Sequence, residues 1–201
     1  MLHSCFHTVA ELVLASASPR RQRFLHELGL EFAVQPAEVD ETLRPGELPA
    51  VFVRRLAEEK ARAVAAARPE AWVLAADTIV ELHGNILGKP TGAEDAVRLL
   101  TQLRNRWHAV WTGFCLMRGG VLVTEVVRSE VRFGDFSDAV CAAYVATGEP
   151  LDKAGAYGIQ GKGAFLVREI KGSYSNVVGL PLHEVVGALL VQRVIAPAIG
   201  R

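Results

Sequence analysis

Cysteine is scarce in this 201-residue chain: Cys5, Cys115 and Cys141 are scattered, odd in number and without metal-ligand spacing. That scarcity argues against a disulfide scaffold or a zinc site and suits a reducing compartment with buried thiols. The six histidines show no metal spacing either, and no nucleophile elbow is present. Net charge is also lacking, with 22 basic residues against 22 acidic ones. A surface for a DNA or RNA backbone needs an excess of Lys and Arg, so no nucleic-acid partner is expected. A small anionic ligand needs only a local basic pocket and stays open. No apolar run is long: VVGALLV at 185–191 falls far short of the ~20 residues that span a bilayer. The opening MLHSCFHTVAE has neither a basic n-region nor a continuous apolar h-region. A soluble cytoplasmic protein without a membrane partner is therefore expected. Repeats, low-complexity tracts and linkers are absent too. One domain over residues 1–201 is expected, with 1–10 a short extension before the first strand.

Half of the residues are hydrophobic, enough for a sizeable core. ELVLA at 11–15 reads as a buried strand stopped by Ser-Ala-Ser-Pro, and residues 19–28 as a helix stopped by Gly29. EFAVQPA at 31–37 is a strand candidate. Residues 49–67 combine a leading Pro, strong helix formers and an apolar stripe, which predicts a helix. WVLAADTIVEL at 72–82 is a strand that His83-Gly84-Asn85 turns back, and 93–104 is helical. Residues 109–117 pair with 121–133 through Gly119-Gly120. A short helix at 137–147, a glycine-rich passage at 155–163, the strand AFLVREI and a helix after Pro181 complete the chain. Strands and helices alternate with one hairpin between them, so the fold class is α/β or α+β around a mixed sheet.

Certain residues break these patterns in ways that suggest chemistry. Ser16-Ala17-Ser18-Pro19-Arg20-Arg21 lies where a strand gives way to a helix. Two hydroxyls and two guanidiniums there would suit phosphate oxygens. A Ser N-cap followed by surface arginines is the plainer alternative, and both stay open. Asp77 and Thr78 interrupt an otherwise apolar strand. A carboxylate in that setting is costly unless a cation, a metal or a hydrogen bond compensates it. Glu41 is a candidate second carboxylate. Lys60 by itself reads as an ordinary surface lysine on its helix, and Lys89 sits in a tight Gly-Lys-Pro loop. The glycine-rich stretch holds Tyr157, Gln160 and Lys162, in a spacing that fits neither a Walker loop nor a dinucleotide fingerprint.

Taken in order, LASASPRR, VDET, AEEKA, AADTIV, GKP and GEPLDKAGAYGIQGKGAFLVREIKGSYSNVVGLPL resemble the Maf family of nucleotide pyrophosphatases over about residues 11–190. The AADTIV block looks most like the branch that hydrolyses dTTP and UTP, rather than 7-methyl-GTP. The resemblance implies an elongated two-lobed α/β fold similar to that of inosine triphosphatase, with the nucleotide in a cleft. It implies that Ser16, Arg20 and Arg21 bind phosphates and that Glu41, Lys60, Asp77 and Lys89 complete the polar site, with Asp77 the proton acceptor. Arg20, Thr78 and Gln160 match positions implicated in base selection. Trp111, Ser129 and Gly134 depart from the residues usual at those places and bear on local packing or substrate preference.

The chemistry expected from that resemblance is cleavage between the α- and β-phosphorus, giving a monophosphate and pyrophosphate. A divalent cation, Mg2+ or Mn2+, held by Glu41 and Asp77 would polarise the phosphate and acidify a water. Which carboxylate acts as base stays open at this stage. A nucleoside triphosphate is the expected partner, with a homodimer also allowed. The competing expectations are a different base preference, modified pyrimidine nucleotides included, or a non-catalytic nucleotide-binding regulator of cell division.

Overall fold

Strand β1 (Phe6–Thr8) lies within the residues expected as a bare extension, and β2 (Leu12–Leu14) follows it fully buried. The computed structural model describes residues 4–198. Pro19 opens helix α1 (Pro19–Glu27), a position where its fixed φ is already helical and its missing N–H has no partner to lose. Gly29 ends that helix at φ +82°, a left-handed turn that a side chain would strain. Strand β3 (Ala33–Val34) keeps only two of the seven residues expected for it. Both are exposed, and Pro36 follows without an N–H to extend the ladder.

Helix α2 (Pro49–Ala65) buries Phe52, Val53, Leu56, Ala57, Lys60, Ala61 and Val64 along one stripe. Strand β4 (Trp72–Leu82) turns through His83 and Gly84, both at positive φ, into β5 (Asn85–Leu87). Helix α3 (Ala93–Leu103) leads to β6 (Trp107–Arg118), and Gly119-Gly120 joins β6 to β7 (Val121–Phe133). Ser137 caps helix α4 (Asp138–Val145), its hydroxyl accepting from the Val140 N–H. Three 3-10 turns then occupy Glu149–Asp152, Ala154–Ala156 and Lys162–Leu166. The last of these delays β8 (Val167–Lys171), which was expected to begin at 164. Helices α5 (Tyr174–Val178) and α6 (Leu182–Val191) precede β9 (Ile195–Pro197).

The strand order is β3-β2-β4-β6-β7-β8, with β5 on β4. Strand β2 runs parallel to β3 and β4, whereas β4–β5 and β7–β8 are antiparallel. The mixed-sheet α/β class read from the alternating elements is the one observed. A separate two-stranded sheet pairs β1 with β9, Phe6 facing Pro197. Among the described residues no helix is long and apolar enough to cross a membrane. Cys115 and Cys141 are buried as expected, but Cys5 is exposed.

Two compact units divide the chain. The first takes the residues up to Asp77, Gly113–Val126 and those from Gly179 onward; the second takes Thr78–Thr112 and Val127–Val178. One core cluster of the first sets Ala15, Ala57, Ala61 and Ala75 around Val13, Val73 and Met117, and Leu14, Leu25, Leu56, Phe114 and Leu180 are also fully buried in that unit. The core of the second contains Leu99, Leu100, Leu103, Phe133, Tyr144 and Tyr157.

Candidate functional site

The turn after β2 is built around Ser16, which is 8% exposed. Its hydroxyl oxygen accepts from the Ser18 N–H at 3.3 Å and from Nη1 of Arg21 at 3.0 Å. Ser18 occupies the N-cap position of α1, but its side chain makes no capping bond. Arg21 turns back onto the protein, donating from Nε to the Gly179 carbonyl at 2.8 Å and from Nη1 to the Ala76 carbonyl at 2.9 Å. Much of its five-donor fork is therefore spent on scaffold, not left for bidentate phosphate binding. Burial pulls the guanidinium below its ordinary value, while Asp77 opposes that shift and Arg20 adds to it. An arginine remains charged through any such shift. Arg21 thus supplies a fixed positive charge and ties the turn to β4.

Lys60 is the polar member of the buried stripe on α2. It follows Leu56 by four residues and precedes Val64 by four, so helical spacing turns it inward. That spacing was the sequence signal that it is not a surface lysine. Its ammonium donates to Oδ1 of Asp77 at 2.7 Å and lies 2.6 Å from Oε1 of Glu41. The two carboxylates differ in setting: the Asp77 side chain is 11% exposed and that of Glu41 is 54%. Ala75 and Ala76, both fully buried, precede Asp77 on the strand, and Asp77 itself is left little water. An unpaired carboxylate there would carry a desolvation cost of several kcal/mol, which Lys60 offsets. Ser16, Arg21, Glu41, Lys60 and Asp77 are thus gathered in the first unit, with Arg20 next to Arg21 in the chain.

The second unit holds Thr78, Lys89 and Gln160. Thr112, fully buried, donates its only hydroxyl proton to the Asn176 carbonyl at 3.1 Å. The 3.0 Å contact between the Thr78 and Thr112 hydroxyls therefore runs from Thr78 to Thr112. Thr78, its proton committed, offers only acceptor capacity to any further partner. Asn176 donates to the Val110 carbonyl and to Ser129 Oγ, which also accepts from the Ser173 N–H and donates to the Ser173 carbonyl. Ser129, one of the three departures noted in the sequence, is the hub of this neutral network. Gly134, another, lies under the Phe136 ring, which would have to shift for any side chain because a Cβ would meet it at 2.7 Å. Trp111, the third, carries the Arg128 guanidinium 5.5 Å over its ring. The Thr112, Ser129 and Asn176 contacts had no signal in local sequence, because the partners lie 34 to 66 residues apart.

Gln160 is half-buried and draws no hydrogen bond from the described residues. Lys89 is exposed on the wall of a cavity of about 490 Å³ that Asp95, Arg98 and Arg106 also line.

The Maf-like protein family model matches residues 11–191, from the residue before β2 to the end of α6. The chain belongs to the Maf family. Three relatives extend the comparison. The dTTP/UTP pyrophosphatase of Desulfotalea psychrophila is 54% identical over 187 residues, covering 92% of this chain and 96% of its own. The protein of the same name from Myxococcus xanthus is 54% identical over 178 residues, 89% of this chain and 90% of that one. The dTTP/UTP pyrophosphatase of Halalkalibacterium halodurans is 48% identical over 180 residues, 90% and 95% of the two chains. Every Maf motif read from the sequence, from LASASPRR to GLPL, falls within the matched span.

Proposed function

We propose that this Maf protein is a nucleoside triphosphate pyrophosphatase that converts dTTP and UTP to the monophosphate and pyrophosphate. Relatives of that name, alike at about half of all positions over nine-tenths of both chains, support the substrate class. The observation that carries the chemistry is Lys60 seated between Glu41 and Asp77 beside the anchored Arg21. A pure nucleotide binder would not need a nearly dry carboxylate held in place by a lysine.

Asp77 accepts the proton of the attacking water, a role typically worth ~10²–10⁴-fold in rate. Lys60 fixes the orientation of Asp77 through Oδ1. Arg20, Arg21 and Lys89 offset the charge that grows on the leaving pyrophosphate. Ser16 holds the turn that presents them. Glu41 and Asp77 also fit a divalent cation, Mg2+ or Mn2+. Among the described residues no third acidic, thiol or imidazole group joins them. One or two carboxylates with substrate oxygens and water is the usual shell of Mg2+, so the donor set suits a cation that arrives with the nucleotide. Bound there, it would supply phosphate charge neutralisation and a more acidic water. Gln160 reads the O4 and N3–H edge shared by thymine and uracil, since its amide both donates and accepts. The whole chain works as one domain, in the cytoplasm and without a nucleic-acid partner.

The test is a panel of dTTP, UTP, CTP, ATP and GTP incubated with pure protein, with and without Mg2+ or Mn2+. Pyrophosphate and monophosphate are expected from dTTP and UTP, only with metal. Release of orthophosphate and a nucleoside diphosphate would rule the reaction out.

A further inference from the structure

The glycine-rich loop that carries Gln160 closes around a single carboxylate. Glu149 Oε2 accepts from the Lys162 N–H at 2.9 Å, and Oε1 accepts from the Gly163 N–H at 3.0 Å and the Tyr144 hydroxyl at 2.9 Å. The Tyr144 oxygen in turn accepts from the Gly158 N–H at 3.1 Å. The backbone is thereby pinned two residues before Gln160 and two and three residues after it. Lys153 braces the far side, its ammonium donating to the Glu149 carbonyl and to Asp152.

Three glycines let the backbone come this close. A Cβ at Gly161 would stand 2.8 Å from Glu149 Oε2, one at Gly158 would stand 2.9 Å from Lys153 Cε, and one at Gly163 would overlap the Tyr144 hydroxyl. Burial pushes the Glu149 carboxyl up, but the Lys162 and Gly163 N–H groups, Tyr144 and Lys153 outweigh it and hold the group below its ordinary value. Four such bonds are far more than a glycine-rich stretch needs merely to cross a surface. Glycines are the residues that lose most freedom on ordering, so an unclamped loop would let Gln160 wander. An amide discriminates between bases only when its donor and acceptor ends are fixed in place.

We propose that Glu149 is a positioning residue for base selection: with Tyr144 it sets the loop conformation that presents Gln160. The proposal rests on the reading of Gln160 as the group facing the base. Glu149→Gln keeps the size of the side chain, but it sets an NH2 group against N–H and O–H donors and removes the charge.

The experiment measures kcat and KM of wild-type and Glu149→Gln protein for UTP and CTP, which differ only in the pyrimidine edge. Thermal melting and amide exchange at Gly158, Lys162 and Gly163 accompany it. The UTP-to-CTP ratio of kcat/KM is expected to fall at least tenfold, through KM for UTP more than through kcat, with faster exchange at those amides. Tyr144→Phe should move the same quantities by less, and it carries the test should Glu149→Gln fail to fold. A merely structural role would lower melting and depress both nucleotides alike. An active wild type whose variants keep the ratio overturns the proposal alone. A wild type that releases pyrophosphate from no nucleotide overturns the functional reading and the proposal with it.

Discussion

In the first unit most of the polar side chains that lose water are charged, Lys60, Asp77 and the guanidinium of Arg21, with the neutral Ser16 hydroxyl bonded to Arg21. In the second they are neutral, with Thr112, Ser129 and Asn176 in one network and His108 bonded through Nε2 to the Tyr157 hydroxyl at 2.9 Å. Burial lowers His108 to about 3, so the ring is uncharged at neutral pH. On the proposed function the difference matches two tasks. A polyphosphate is gripped by charge, which acts at a distance and needs little directional precision. A base edge is read by donors and acceptors whose direction must be fixed, as the Thr78-to-Thr112-to-Asn176 chain fixes the polarity of Thr78. Satisfaction does not separate the units: among the described residues buried side-chain atoms without a partner occur in both, Thr124 Oγ1 and Glu184 Oε2 in the first unit and Asn176 Oδ1, His108 Nδ1, Trp111 Nε1 and Arg132 Nε in the second.

The comparison can be broken most forcefully at Lys60. Lys60→Met should destabilise the protein by about 3–5 kcal/mol, because it leaves Asp77 as a buried charge without its cation. Denaturant unfolding measures this, and a loss below about 1 kcal/mol would show that Asp77 has other compensation. Asp77→Asn sharpens the same point from the catalytic side. The amide keeps the size and can still bond Lys60, so nucleotide should bind at least as well while turnover falls by at least ~10²-fold. Measuring kcat and affinity on one folded sample decides it, and near-normal turnover would move the base to Glu41.

The smallest effect belongs to the neutral side. The folded-state value of His108, about 3, lies below its unfolded value near 6.5, so the unfolded chain binds an extra proton between those limits. Stability should therefore fall as pH drops below about 6.5, by up to about 1.4 kcal/mol per pH unit from this group, and be flat above it. Replacing His108 with Phe should remove that slope from the pH dependence of unfolding. A variant with the wild-type slope would place the titrating group elsewhere.

Local sequence determined most elements, because their signals are short-range. Pro19 and Pro49 open helices, the stripe on α2 and the apolar run of β4 mark core-facing elements, and His83-Gly84 and Gly119-Gly120 turn hairpins. It also marked Asp77, since a carboxylate in an otherwise apolar strand needs a partner whatever the fold. Only the tertiary structure decided what that partner is. Lys60 lies 17 residues away, and only packing α2 against the sheet brings its stem across the alanines to Asp77. The same holds for β1, a three-residue strand whose partner β9 stands at the other end of the chain. It holds for Glu149 as well, an ordinary acidic residue until the backbone of 158–163 folds back on it. Periodicity and turn chemistry act within a few residues, whereas a buried polar group is satisfied by whatever the fold sets within 3 Å of it.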